Sequence, residues 1–130
     1  MARIEVPVSA GELVDKVTIL EIKSERIGDA AKLANVRREL AGLSAIIDPL
    51  IATNKALAPL KSSLRAVNET LWQIEDDIRA CERRKDFGPS FVELARNVYR
   101  TNDRRAALKR EIDDLLGSEI KEEKSYQAYD

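Results

Sequence analysis

The sequence predicts an all-α fold: an up-down antiparallel helical bundle of four helices, the first short, with an extended N-terminal arm and a polar C-terminal tail. Residues 1–130 are long enough for one such domain and too short for two ordinary ones. Three observations carry this reading. Apolar residues recur at alternating steps of three and four along four stretches, the spacing of helices packed on helices. The stretches are separated by helix breakers. Composition agrees, with 44% hydrophobic and 35% charged residues, few aromatics and only five glycines.

Arg3–Val8 alternates polar and apolar residues, and Pro7 holds Val6 extended, so an arm or short edge strand is expected there. Ser9 and Glu12 then form a capping box, with Val8 and Leu13 at the positions of a hydrophobic staple. The helix they open runs to about Ile27 and stops at Gly28, a natural left-handed terminator. It carries two stripes, Leu13/Val17/Leu20/Ile27 and Ile19/Ile22, an apolar arc too wide for a single neighbour.

Asp29 can cap the second helix, whose stripe is Leu33, Val36, Leu40, Leu43, Ile47 and Leu50. Asp48–Pro49 should kink it or begin a new short helix, and 53–56 is the expected turn. The third helix, Leu60 to about Arg84, has the cleanest seam: Leu64, Val67, Leu71, Ile74, Ile78 and Cys81. The fourth opens near Pro89–Ser90 and ends at Gly117, with Phe91, Leu94, Val98, Thr101, Arg105, Leu108, Ile112 and Leu115 on its stripe. Antiparallel registers can be drawn between each successive pair, for example Leu20/Val36, Leu71/Leu40 and Ile78/Val98. That makes the third helix the shared wall of two hairpins. The alternative is a three-helix bundle whose first helix swaps onto a second chain. The arm, through Ile4, Val6 and Val8, is expected to cover the bundle end beyond the short first helix. The tail from Ser118 should be loosely held or laid across the bundle.

Absences narrow the chemistry. There is no histidine, so no Ser-His-Asp, Cys-His or Glu-x-x-His site can form. One cysteine, Cys81, sits on a core stripe and can neither pair internally nor build a zinc site. The glycines are scattered and make no phosphate loop. No catalytic residues, metal or cofactor are assigned. A net charge of −1 gives no bulk attraction to nucleic acid or an acidic membrane. No apolar run approaches the ~20 residues needed to span a bilayer. The start of the chain lacks a signal-peptide core, and a cytoplasmic location is expected.

Two sets of residues stand out. Arg96, Arg100, Arg104, Arg105, Lys109 and Arg110 form a basic block, expected to pair with Glu69, Glu75, Asp76, Asp77 and Glu82 across the hairpin or else to bind an anion. Arg105 lies on the stripe itself, level with Asn68, Trp72 and Asn102, in a polar layer that either fixes register or lines a pocket. Candidate binding residues are therefore Asn68, Trp72, Glu75, Arg100, Asn102, Arg104 and Arg105. Val14, Ile19 and Ile22 lie outside the seam drawn for the first helix and are the candidate interface with another protein or a second copy.

The motifs VSAGELVDKVTILEIK (8–23), VNETLWQIED (67–76), YRTNDRRA (99–106) and EEKSY (122–126) resemble a small bacterial family of unknown function. The resemblance covers nearly the whole chain. It implies no activity and no catalytic residues, and it implies an association with glycosyltransferase or surface-polysaccharide functions. It also directs attention to Glu12, Asp15 and Lys16, which are more polar detail than capping requires. The expected function is a non-catalytic helical interaction or scaffolding module that binds another protein or its own copy. The competing expectation is a small helical enzyme or sensor holding an anionic metabolite among the arginines, with helical mutases as a fold-level analogy only.

Overall fold

A computed structural model describes residues 3–129; Met1, Ala2 and Asp130, the ends of the expected domain and tail, lie outside it. Four helices follow in order: α1 Ala10–Arg26, α2 Ala30–Thr53, α3 Leu57–Arg84 and α4 Pro89–Leu116. The all-α bundle is as the sequence predicts, and among the described residues there is no strand.

The termini explain the boundaries. Ser9 Oγ accepts from the Glu12 amide at 3.1 Å and Asp29 Oδ2 from the Lys32 amide at 2.9 Å, capping α1 and α2. Pro89 opens α4 where its missing N–H costs nothing. Gly117, at φ 62°, closes α4, with the Ser118 amide reaching back to Asp113 O at 2.8 Å. Two expectations change here. Gly28 is not left-handed; α1 ends on Ile27 in extended backbone. Pro49 does not begin a new short helix; α2 runs through it to Thr53.

The packing centre also moves. The third helix was expected to be the shared wall, but α2 and α3 barely touch, so the register drawn between Leu33–Leu50 and Leu60–Ile78 is not made. α1 packs against α2, α3 and α4 instead, while α3 and α4 form the most extensive pair. The reason lies in α1 itself, which is buried around most of its circumference at Gly11, Val14, Asp15, Val17, Thr18, Leu20 and Ile22. Its partners move from Lys109 and Asp113 on α4 near its start to Lys61 and Arg65 on α3 near its end. α1 therefore runs obliquely across the α3/α4 hairpin. Facing rows of residues four apart, Gly11/Asp15 and Arg105/Lys109/Asp113, are the pattern that packs helices at a crossing of about 50°.

The core gathers Val14, Val17, Ile47, Leu57, Leu64 and Ile112, all essentially inaccessible. Leu43, Leu50, Ile51 and Leu116 pack around it, closing the end that the arm was expected to cover. The arm does not cover it: Ile4, Val6 and Val8 are exposed. Val14 and Ile22, expected to face a partner, are buried within this chain against its own helices; Ile19 is half-buried.

Candidate functional site

Where α1 crosses the hairpin, a polar cluster joins three helices. The Asp15 carboxylate, with its side chain 3% exposed, accepts from Arg105 Nε at 2.9 Å on one oxygen and from Arg105 Nη2 on the other. This is a bidentate fork, the geometry that guanidinium and carboxylate planes favour. Asn68 Nδ2 donates to Asp15 Oδ1 and to Thr18 Oγ1, both at 2.9 Å, and the Thr18 hydroxyl donates to the Asp15 carbonyl at 2.7 Å. The hydrogen bond to Asp15 holds Arg105 above its ordinary value against the opposing effect of burial, so the guanidinium keeps its charge. Among the described residues no buried side-chain polar atom lacks a partner. This buried, fully satisfied network ties α1, α3 and α4 together at one level.

One turn toward the start of α1 a second cluster ties the helix to α4. Asp113 Oδ1 accepts from the Gly11 amide at 2.6 Å and Ser118 Oγ from the Ala10 amide at 3.2 Å. With Ser9 on Glu12, three side chains satisfy the first three amides of α1, and the buried carboxylate sits where the helix dipole favours it. The Glu12 carboxylate, expected to turn back to the Ser9 amide, meets α4 instead. It lies 3.0 Å from Lys109 Nζ, which also donates to Glu122 at 2.8 Å. Burial pulls Lys109 down, but the hydrogen bonds to Glu122 and Glu12 outweigh it and hold the ammonium above its ordinary value.

Beside the Asp15 cluster an open groove of about 450 Å³ runs between α1 and α3. Ile19, Ile22, Leu71 and Trp72 give it an apolar floor, and Asn68 and Arg105 close its inner wall. Glu75, Asp76 and Arg79 form the rim. Arg26 lies over the Trp72 ring at 5.8 Å, a cation–π contact that fixes the indole from the α1 side. Arg105 is committed to Asp15, and Arg79 lies 3.6 Å from Glu75. Among the described residues Asp76 is the rim carboxylate with no ionic partner, and Arg26 brings a positive charge to the edge over Trp72.

Of the candidate binding residues, Asn68, Trp72, Glu75 and Arg105 come together at this groove. Arg100, Asn102 and Arg104 do not line it: Arg100 pairs with Glu93 at 3.3 Å, Arg104 donates to Thr101 Oγ1, and Asn102 is half-buried on α4. The basic block pairs differently from expectation. None of its cations meets the acids of α3; they bond to their own helix, to α1 and to the tail. The oblique α1 explains this, because it inserts Asp15 and Glu12 where the hairpin register alone would have offered Glu69 and Glu75. Residues that the stripes missed are Gly11, Thr18, Lys109 and Asp113.

Among the described residues no group of Cys, Asp and Glu side chains could hold a metal ion, and no helix is long and apolar enough to cross a membrane. No curated protein and no solved structure matches the chain. A family model does match it over residues 4–129, all four helices and the whole described tail, and the chain belongs to that family: the family of unknown function DUF6165.

Proposed function

We propose that this chain is a non-catalytic interaction module whose working surface is the α1/α3 groove at Trp72. The observation that carries the reading is the combination of an open apolar floor with an inner wall whose polar groups already satisfy one another. Such a groove accepts an apolar side chain as an anchor, and aromatic residues in this setting supply much of an interface's binding energy. Asp76, the rim carboxylate without an ionic partner, favours a protein segment that carries Lys or Arg beside its anchor. The anionic-metabolite reading is less well supported, since the guanidinium in the wall is neutralised by Asp15 and the other arginines of the block are dispersed along α4. With the family resemblance, the expected partner is a cytoplasmic protein of glycosyltransferase or surface-polysaccharide function; a second copy of this chain is the other form of the same reading.

The test compares affinity capture from the native host by the parent chain, Trp72→Ala and Ile19→Asp, with helicity checked by circular dichroism. Trp72 is the one tryptophan, so its emission reports occupancy of the groove directly. A partner retained by the parent, lost by both variants and shifting Trp72 emission supports the reading. Capture indifferent to both substitutions refutes it.

A further inference from the structure

The tail, Ser118–Tyr129, has no regular secondary structure, yet it is docked along α4. Lys121 Nζ meets Asp114 at 2.7 Å, Glu122 meets Lys109 at 2.8 Å and Glu123 meets Arg110 at 3.0 Å. Farther on, the Tyr129 hydroxyl donates to Asp103 at 2.7 Å, and its ring meets Tyr99 edge-on with centroids 5.0 Å apart. As the tail advances, its partners retreat along α4, so it runs antiparallel to the helix. Past the Ser118 amide, no backbone-to-backbone hydrogen bond is made by the tail among the described residues. Side-chain contacts hold it, as they hold many bound peptides.

The cations beneath the tail do not depend on it. Lys109 keeps Glu12 at 3.0 Å and Arg110 keeps Asp114 at 3.8 Å if the tail leaves, so no buried charge is orphaned. Gly117, in the left-handed conformation, supplies a pivot, and the pairs other than Lys109–Glu122 are largely exposed and screened by salt. The spacing is specific. From Arg110 to Tyr99, α4 rises ~16 Å, and the six residues from Glu123 to Tyr129 span up to ~20 Å when extended.

We propose that this face of α4 is a docking surface for an acidic peptide, with the tail as its displaceable resident. The visitor is a segment of another protein with the tail's chemistry: paired carboxylates six or seven residues ahead of a tyrosine. The surface is separate from the Trp72 groove, so either assignment can fail without the other.

The test uses the full chain with its tail released by Glu122→Gln, Glu123→Gln and Tyr129→Ala together. The probe is a fluorescein-labelled peptide with the sequence of residues 118–129, followed by anisotropy. A tethered tail has an effective concentration on the order of 1 mM, so against a free-peptide Kd of roughly 100 µM it weakens binding by about tenfold. The released chain should therefore bind the peptide about tenfold more tightly than the parent. Raised salt should weaken that binding, and Arg110→Glu in the released chain, an exposed change that leaves the fold intact, should lower it at least as much. Equal binding by parent and released chains, binding by neither, or indifference to Arg110→Glu would overturn the proposal. So would a single-stranded oligonucleotide that outcompetes the peptide, since the face would then serve nucleic acid.

Discussion

Replacing Gly11 by alanine should loosen the whole molecule, although alanine is the better helix former. A Cβ at this position would lie 2.4 Å from the Lys109 carbonyl oxygen, 2.9 Å from its carbon and 3.0 Å from Asp113 Oδ1. Two of those atoms are backbone and cannot swing aside. Restoring ordinary contact requires α1 and α4 to part by about 1 Å. That movement breaks or stretches the 2.6 Å bond from the Gly11 amide to Asp113, a buried bond to a carboxylate whose loss costs about 1.5–3 kcal/mol. Overpacking adds about 1–3 kcal/mol, and helix propensity returns at most about 1 kcal/mol. The net expectation is a destabilisation of about 2–4 kcal/mol, or roughly 10 °C in Tm for a chain of this size. Gly42, mid-α2 with nothing within 4 Å of its would-be Cβ, is the internal control. Gly42→Ala should stabilise by about 0.5–1 kcal/mol. Urea unfolding followed by circular dichroism and Trp72 emission measures both. If Gly11→Ala proves as stable as the parent, or the two variants move together, the close approach of α1 to α4 is wrong.

Arg105→Ala should cost about 3–5 kcal/mol, because it strands the buried Asp15 carboxylate with Asn68 as its remaining side-chain donor. Asp15→Leu combined with Arg105→Met should recover most of that loss in the same urea assay; a loss below 1 kcal/mol for the single change would refute the assignment. Docking of the tail should be limited by pH on both sides. The hydrogen bond from Lys109 holds Glu122 below its ordinary 4.5, so this contribution is present above about pH 4.5 and lost as pH falls through the lowered value. Lys109 is held above its ordinary 10.5, so its contribution is present below that pH and lost as pH rises through the raised value. Protease cleavage of the tail should accelerate at the acid limb, and Glu122→Gln should flatten that response. Lys85 closes α3 in the left-handed conformation at φ 55°, where a side chain is strained. Lys85→Gly should therefore raise stability by about 0.5–1 kcal/mol in a thermal melt.

The helices and their breaks were legible because caps, prolines and Gly117 are local signals, each visible within a few residues of where it acts. The arrangement of the helices was less so. Matching apolar stripes assumes near-parallel axes and counts only apolar residues, and on that basis α3 seemed central. The deciding row on α1 is Gly11, Asp15, Thr18 and Ile22, whose steps of four, three and four are themselves a helical face. Three of the four are small or polar, so a hydrophobic template passes over them. On α4 the answering row is Arg105, Lys109 and Asp113, which reads as solvated charge until α1 is laid across it. The layer at Asn68 and Arg105 could be anticipated from a charge standing on a core stripe. Its partner, Asp15, could not be chosen over Glu69 and Glu75 without knowing the crossing.

The stitching of the Ala10 and Gly11 amides to Ser118 and Asp113 joins residues 108 and 102 positions apart in the chain. Synthesis proceeds from α1 toward α4, so the helix made first is secured last. Until α4 emerges, α1 can lean on α2 and α3, but Asp15 lacks its arginine and the glycine notch faces solvent. A ribosome that stalls within α4 would release a chain with three helices and no keystone, an easy substrate for quality-control proteases.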